Sequence, residues 1–451
     1  MATDTHVMTR LREIWRILKD HGPIAVLLVG LVYVVYGRLW TGDFWHPTDF
    51  AILADAHRLS ADPLGMFRHI GAWFSQPLLQ LAFLLEYRAF GMDYTGYVAV
   101  NLALHALCAF LIYMLVNMLF HNEKLALLAA ILFALNVGSY GRNLQTLAGQ
   151  ESLLLALLHL LVLYLFIRND FRHNGALRSR YFLLGLVIYS LTGLTRASTL
   201  SLLGCLVAYK AFFYQRRERR PIFSNDLLIF LVVGLVFQFG QNQWGHQTPT
   251  MLTEVDGPLV YTWRSVVNVF RYLNLMVFPL QESVMLQESG ALVQAIFSLR
   301  LPVYILVMLG VISLSFFGFV FGSRPLRFFI AWTYITLIPF STSAPGSDWL
   351  NVTHLYLASL GFCLILAAGS LGCSNLLAAH RWRRLVPFVV PVVFVATAIT
   401  LTYRLDNRNR AASQSPEIQE LRRLTSEELQ RPRVTRDPLA RRPTAGAIPQ
   451  G

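Results

Sequence analysis

Residues Gly22 to Phe50 read GPIAVLLVGLVYVVYGRLWTGDFWHPTDF. From Gly22 to Trp40 the only charge is Arg38, and the run has about the length that a bilayer-spanning helix needs. Arg38, Leu39 and Trp40 make no small-residue cleavage site, so the run is expected to be an uncleaved first span and not a signal peptide. The chain then turns abruptly polar. From Thr41 to Gln80 it carries Asp43, Asp49, Asp55 and Asp62, with Glu86 just beyond, three histidines and several Phe and Trp residues. An apolar span opening into a dense acidic and aromatic loop predicts chemistry at a membrane surface.

Composition agrees. The chain has 451 residues, 55% of them hydrophobic and 14% charged, and its mean hydropathy is +0.49. A soluble domain carries about 25% charged residues. Backbone groups in lipid must be paired within their own segment, so the apolar runs are expected to be helices. The net charge of +13 does not point to nucleic acid, because Lys and Arg fall in short clusters between apolar runs. Cys108, Cys205, Cys363 and Cys373 lie in or beside those runs with no metal-ligand spacing, and are read as small packing residues.

The sequence predicts an all-α, polytopic membrane protein with about eleven spans, at 22–40, 96–120, 124–138, 147–167, 181–197, 198–214, 226–243, 301–322, 326–342, 353–371 and 385–403. With the N-terminus (1–21) in the cytoplasm, the inner segments hold 18 Lys or Arg in 67 residues, and the outer ones, the C-terminal tail excluded, hold seven in about twice that length. This bias orients the chain with its first loop outside. Residues 22–403 then form the membrane domain. Its external parts are chiefly 41–95 and 244–300, and 404–451 is an external basic tail. Gln76 to Gly91 carries Glu86 and Arg88. If it spanned, every later basic cluster would change sides, so it is placed flat on the outer surface. Pro258 to Pro279 carries Arg264, Asn268 and Arg271 on one helical face and is read as a surface or re-entrant helix lining a cavity. Pro416 to Gln430 has apolar residues near helical spacing and a T-S-E-E start, and predicts a short helix; Pro432 onward is read as disordered.

Asp49 is the sharpest chemical candidate. It lies within about ten residues of the first span's outer end, where an amphiphile's headgroup would sit. Aromatic neighbours and lipid can make such an acid a useful base. The alternative is that Asp49 caps a helix from Phe50 to Arg58. Asp43, Asp55, Asp62 and His57 are read as solvated loop residues. Glu151 opens the fourth span, either as a functional interfacial acid or as a carboxylate favoured by the helix dipole. Asn101 and His105 share a helix face, where an interhelical hydrogen bond is the ordinary role of the histidine. Arg196, Arg264 and Arg271 can meet a phosphate headgroup by their planar forks, or snorkel to lipid. No Walker A loop, HExxH, GxSxG or kinase signature is present.

Several stretches in order resemble the type C glycosyltransferases (GT-C). The likeness is to the protein O-mannosyltransferase-like branch that includes transmembrane proteins with lumenal tetratricopeptide repeats. Trp45 to Phe50 resembles its acidic loop motif, with Asp49 on the acid. Gln76-Pro77-Leu78-Leu79, Phe90-Gly91, Asn101 with His105, Ala126 to Leu135, Gly149 to Leu154, and Val352 to Phe362 follow in the family's order. The resemblance covers about residues 20–410. It implies sugar transfer on the extracytoplasmic side from a polyprenyl-phosphate-linked donor to a protein, lipid or glycan acceptor. Asp49 would be the base, and Gln76, His105, Glu151, Arg196, Arg264, Arg271, His354 and Tyr356 would be donor or acceptor contacts. Some members use a divalent metal, for which no site is assigned here. The chain departs from the pattern at Gln76, Thr195 and Thr353, where the family has Arg, Lys-Glu and Arg. A catalytically inactive headgroup-binding or scaffold protein on the same fold is the alternative function. A transporter is a third, and the charged spans or inverted repeats that it needs are scarce.

Overall fold

The computed structural model describes residues 19, 21–67, 76–136, 143–195, 199–214, 224–244, 258–277, 300–341, 355–376 and 385–430. Among these residues the regular structure is entirely helical. Helix α1 is His21–Thr41, tightening to a 3₁₀ turn over Gly37–Thr41. The others are α2 (Pro47–Ala61), α3 (Pro77–Phe90), α4 (Tyr94–Phe120), α5 (Glu123–Leu135), α6 (Gln150–His173), α7 (Arg180–Gly193), α8 (Thr199–Tyr214), α9 (Asn225–Trp244), α10 (Pro258–Val277), α11 (Arg300–Phe321), α12 (Arg324–Ser341), α13 (Leu355–Leu376), α14 (Val386–Ser413) and α15 (Pro416–Gln430). Each expected span coincides with a helix. Four helices are long and apolar enough to cross a bilayer on their own: His21–Thr41, Tyr94–Phe120, Gln150–His173 and Leu355–Gly372.

Local chemistry sets the helix ends. Asp93, Asn122 and Ser179 cap α4, α5 and α7, each accepting a backbone N–H with its side chain. His121, in the left-handed region at φ 52°, ends α4 and turns the chain directly into α5. Such short links make antiparallel neighbours. Helix α4 lies at the centre, packed on α5 and α6. On the other side α13 packs on α5 and α12, and α12 on α8. Cys108, Cys205 and Cys363 are buried and free, as their apolar surroundings suggested, while the Cys373 side chain lies outside the described residues.

Two expectations change. Helix α14 does not stop near Tyr403 but runs to Ser413, so the first part of the expected tail continues the same helix. Helix α15 begins at Pro416, which puts the T-S-E-E sequence inside it and not at its start. Residues 431–451 lie outside the described set. Helix α10 forms as expected and packs on α11, α12 and α13, with Asn268 buried and donating to the Ser341 carbonyl at 2.8 Å.

A polar cluster is buried at the C-terminal end of α8. Lys210 is 1% exposed and pairs with Asp226 at 2.9 Å and Asp170 at 3.5 Å. The Tyr209 hydroxyl donates to Asp170 at 2.9 Å. The cluster ties α6, α8 and α9 together.

Candidate functional site

Asp49 does not cap a helix. The cap of α2 is His46, extended at φ −108°, ψ 133°, whose ring nitrogen accepts the Thr48 N–H at 3.3 Å. Pro47 at the first helical position needs no hydrogen-bond partner, and it holds His46 in the extended conformation. Starting the helix three residues earlier than expected moves Asp49 into its first turn and points it inward. Asp49 is fully buried. Its Oδ1 accepts the backbone N–H of Leu147 at 2.9 Å, across 98 residues of sequence. The positive end of the α2 dipole also favours a carboxylate there.

The segment presenting that N–H is itself held in place. Asn101 donates to the Leu144 and Thr146 carbonyls at 3.4 and 3.3 Å, and Tyr94 to the Gln145 carbonyl at 3.0 Å. Phe44 packs edge-on against Phe50, Tyr94 and Tyr97. Gly149 closes the turn so tightly that a Cβ there would collide with the Asn143 main chain. Gly149→Ala is therefore expected to cost about 1–3 kcal/mol, because main chain cannot rotate aside as a side chain can. Thermal unfolding of the detergent-solubilised protein checks this, with a lower midpoint expected.

Beside the acid lies a cavity of about 500 Å³ between α2, α3 and the start of α6. Thr48 and Ala148, sequence neighbours of Asp49 and Leu147, line it, and Asp49 itself is fully buried and not part of the lining. Gln76, Gln80 and Glu151 supply polar groups, and Ile52, Leu59, Leu79 and Phe83 supply apolar ones. Gln76 sits in the left-handed region at φ 61°, immediately before Pro77 starts α3. The charged lining residues described are Asp55, Arg58 and Glu151. Arg58 is paired with Asp55 at 2.6 Å. Asp55, expected to be a plain loop residue, thus belongs to the cavity. Glu151 lies in the first turn of α6, where the helix dipole favours a carboxylate, and it also lines the cavity.

The other expected contacts divide. His105 and Tyr356 meet, with Nδ1 to the hydroxyl at 2.8 Å, and the second ring nitrogen of His105 meets the Ala134 carbonyl at 3.1 Å. Both residues are buried inside the bundle and neither lines the cavity. Their geometry is that of an interhelical hydrogen bond joining α4, α5 and α13, the ordinary role expected of the histidine. Arg196 and His354 lie outside the described residues, as do the side chains of Arg264 and Arg271. The Leu78 N–H donates to the Leu194 carbonyl at 3.4 Å, which docks the start of α3 on the turn after α7. Among the described residues no group of three His, Cys, Asp or Glu is placed to hold a metal.

Glu86 is a residue that sequence reasoning passed over. It is 8% exposed, on the face of α3 turned toward α6. Its Oε1 accepts from the Gln150 side-chain amide, and its Oε2 has no partner among the described residues. Burial pushes its carboxyl up to about 7, and the Gln150 hydrogen bond only partly opposes this. Between pH 4.5 and about 7 the folded chain keeps a proton that the unfolded chain loses, so stability falls as pH rises through that window. Glu86→Gln is expected to leave the thermal midpoint at pH 4.5 unchanged and to raise it at pH 8. The gain is on the order of 3 kcal/mol, from about 1.4 kcal/mol per pKa unit. Melting curves at the two pH values check it.

No protein-family model and no curated protein sequence matches the chain. Among solved structures it is similar to the archaeal oligosaccharyltransferase AglB from Archaeoglobus fulgidus, in complex with an inhibitory peptide and a dolichol-phosphate. The TM-score is 0.51, with 11% identity over 92% of this chain, and the chain spans 60% of the AglB chain. It is also similar to ArnT from Cupriavidus metallidurans. With undecaprenyl phosphate bound, the TM-score is 0.45 at 14% identity, over 91% of this chain and 77% of ArnT. In the apo state these values are 0.44 and 16%, over 90% and 76%. Among the described residues the chain is all-helical, with a fold similar to that of AglB.

Proposed function

We propose that this chain is a membrane glycosyltransferase that moves a sugar from a polyprenyl-phosphate donor to an acceptor hydroxyl. The observation that carries the proposal is the buried Asp49 carboxylate, oriented by the Leu147 amide beside a polar-lined cavity. The fold is that of AglB, whose structure holds a dolichol-phosphate. Asp49 takes the proton from the acceptor hydroxyl as that oxygen bonds to the anomeric carbon. The bond from that carbon to the phosphate oxygen breaks, and the polyprenyl phosphate leaves with the electron pair. Gln76 and Glu151 hydrogen-bond sugar hydroxyls in the cavity. Arg196, Arg264, Arg271 and His354 meet the phosphate or the acceptor. Any metal would add charge at the leaving phosphate, and no step here is assigned to one. The side carrying Asp49 is extracytoplasmic, by the distribution of Lys and Arg.

A second reading, a headgroup-binding or scaffold protein without catalysis, has one observation in its favour. The charged lining residues described are two carboxylates against one arginine, which is itself paired. The purified protein in lipid nanodiscs, given a radiolabelled polyprenyl-phosphate sugar and membrane extract as acceptor source, decides between them. Transfer of label out of the lipid fraction supports the transferase. Retention of bound, untransferred lipid across mannosyl, glucosyl and galactosyl donors favours the scaffold.

A further inference from the structure

The last span and the tail reach back to the Asp49 loop. Helix α14 ends beside α1, and α15 packs on α2, the helix that carries Asp49. The junction is one buried carboxylate. Asp406, 2% exposed, accepts from Arg38 Nε at 2.6 Å and from Arg410 Nε at 3.0 Å. Arg38 also lies over the Tyr403 ring, 4.0 Å from its centroid, and donates to Asn407 at 3.0 Å. Around this pivot the same segment grips both pieces of chain that hold Asp49. Arg410 donates to the Thr41 hydroxyl, and Arg422 of α15 pairs with Asp43, so the incoming loop is held. Asn409 donates to the Gln145 side chain, two residues before the N–H that Asp49 accepts. Ile418 buries the inner face of α15.

Segments 41–47 and 143–147 are far apart in sequence, and the Asp49–Leu147 hydrogen bond needs both in register. We propose that Asp406 is a positioning residue for Asp49. It locks α14 to α1, and through Asn409, Arg410 and α15 it holds the two segments together. The lock does not touch the cavity. It acts on the geometry of the acid, and so it rests on Asp49 being the working group only where activity is concerned.

The physical claim is tested without activity. Hydrogen exchange of the full-length protein in detergent is followed in peptides covering 143–149 and 42–52. In Asp406→Asn the shape is kept, and the two arginines, with side chains 41% and 39% exposed, can hydrate. Exchange at 143–149 is expected to rise about tenfold, with that of α5 unchanged. Arg422→Ala is expected to raise exchange at 42–52 only, and Asp406→Glu to restore most of the protection. Unchanged exchange at 143–149 in Asp406→Asn overturns the proposal, as does a uniform rise across the bundle. If wild type transfers sugar, Asp406→Asn is expected to lower kcat with KM held, the pattern of a misplaced base. If wild type transfers nothing, the glycosyltransferase reading fails, and the exchange result still decides the lock.

Discussion

On the proposed reading, Asp49→Asn is expected to lower sugar transfer by about 10²- to 10⁴-fold, the usual contribution of a positioned general base. The variant is well suited to the question. Asparagine has the same shape, and its carbonyl oxygen can accept the Leu147 N–H that Oδ1 accepts now, so the turn at 143–149 stays in place. What is lost is the ability to take a proton. The expected pattern is a fall in kcat with little change in KM and an unchanged thermal midpoint. Asp49→Ala behaves differently. It removes the acceptor and leaves a buried N–H unsatisfied, at about 1–3 kcal/mol of stability. Comparing the two separates chemistry from architecture. Transfer by Asp49→Asn at the wild-type rate removes Asp49 as the base and moves the protein toward the scaffold reading.

Lys210→Met is the variant expected to harm folding most. Methionine fits the space of the lysine stem and suits an apolar helix. The damage comes from what it leaves behind: Asp170 and Asp226 facing one another with no cation, in a place where Lys210 is 1% exposed. Removing one member of a buried ion pair typically costs about 3–5 kcal/mol. The thermal midpoint should fall steeply, which is measured by the rate at which buried thiols such as Cys205 become reactive on heating. Adding Asp170→Asn and Asp226→Asn to Lys210→Met should recover much of the loss, since the cost lies in uncompensated charge. If the triple variant is no better than the single one, lost packing is responsible. Asp49 and Lys210 lie on separate helices with no common partner described, so transfer per folded molecule should be unaffected by Lys210→Met.

The apolar runs announced the helices, because length and hydropathy are local properties and a spanning helix pairs its own backbone. Helix α3 was legible as one more apolar run, while its expected place flat on the membrane rests on the basic clusters of later loops alone. Asp49 could be singled out from its place near the end of a span. Its orientation could not, because the choice between capping the helix and facing inward turned on His46 starting the helix early. Glu86 was read only as a charge that keeps its helix at the surface, because an acid there reads as solvated, and only the packing of α3 on its neighbours buries it. Lys210 was hidden in the same way, as a lone cation near the end of an apolar helix whose partners come from two others. The tail was read as a separate segment, because nothing in its composition says that Asp406 reaches Arg38, 368 residues earlier.

The donor to Asp49 is a main-chain amide, and this shapes how such a site can change over evolutionary time. A side-chain donor can be deleted by one codon change; an amide is supplied by every residue except proline. Leu147, itself buried in the core, can therefore change to other apolar residues of similar size without losing the donor, provided that the path of the chain is inherited. Half of this constellation leaves no trace in an alignment. Chains with few letters in common can still pass down the same grip on a carboxylate, as a route through space and not as a motif.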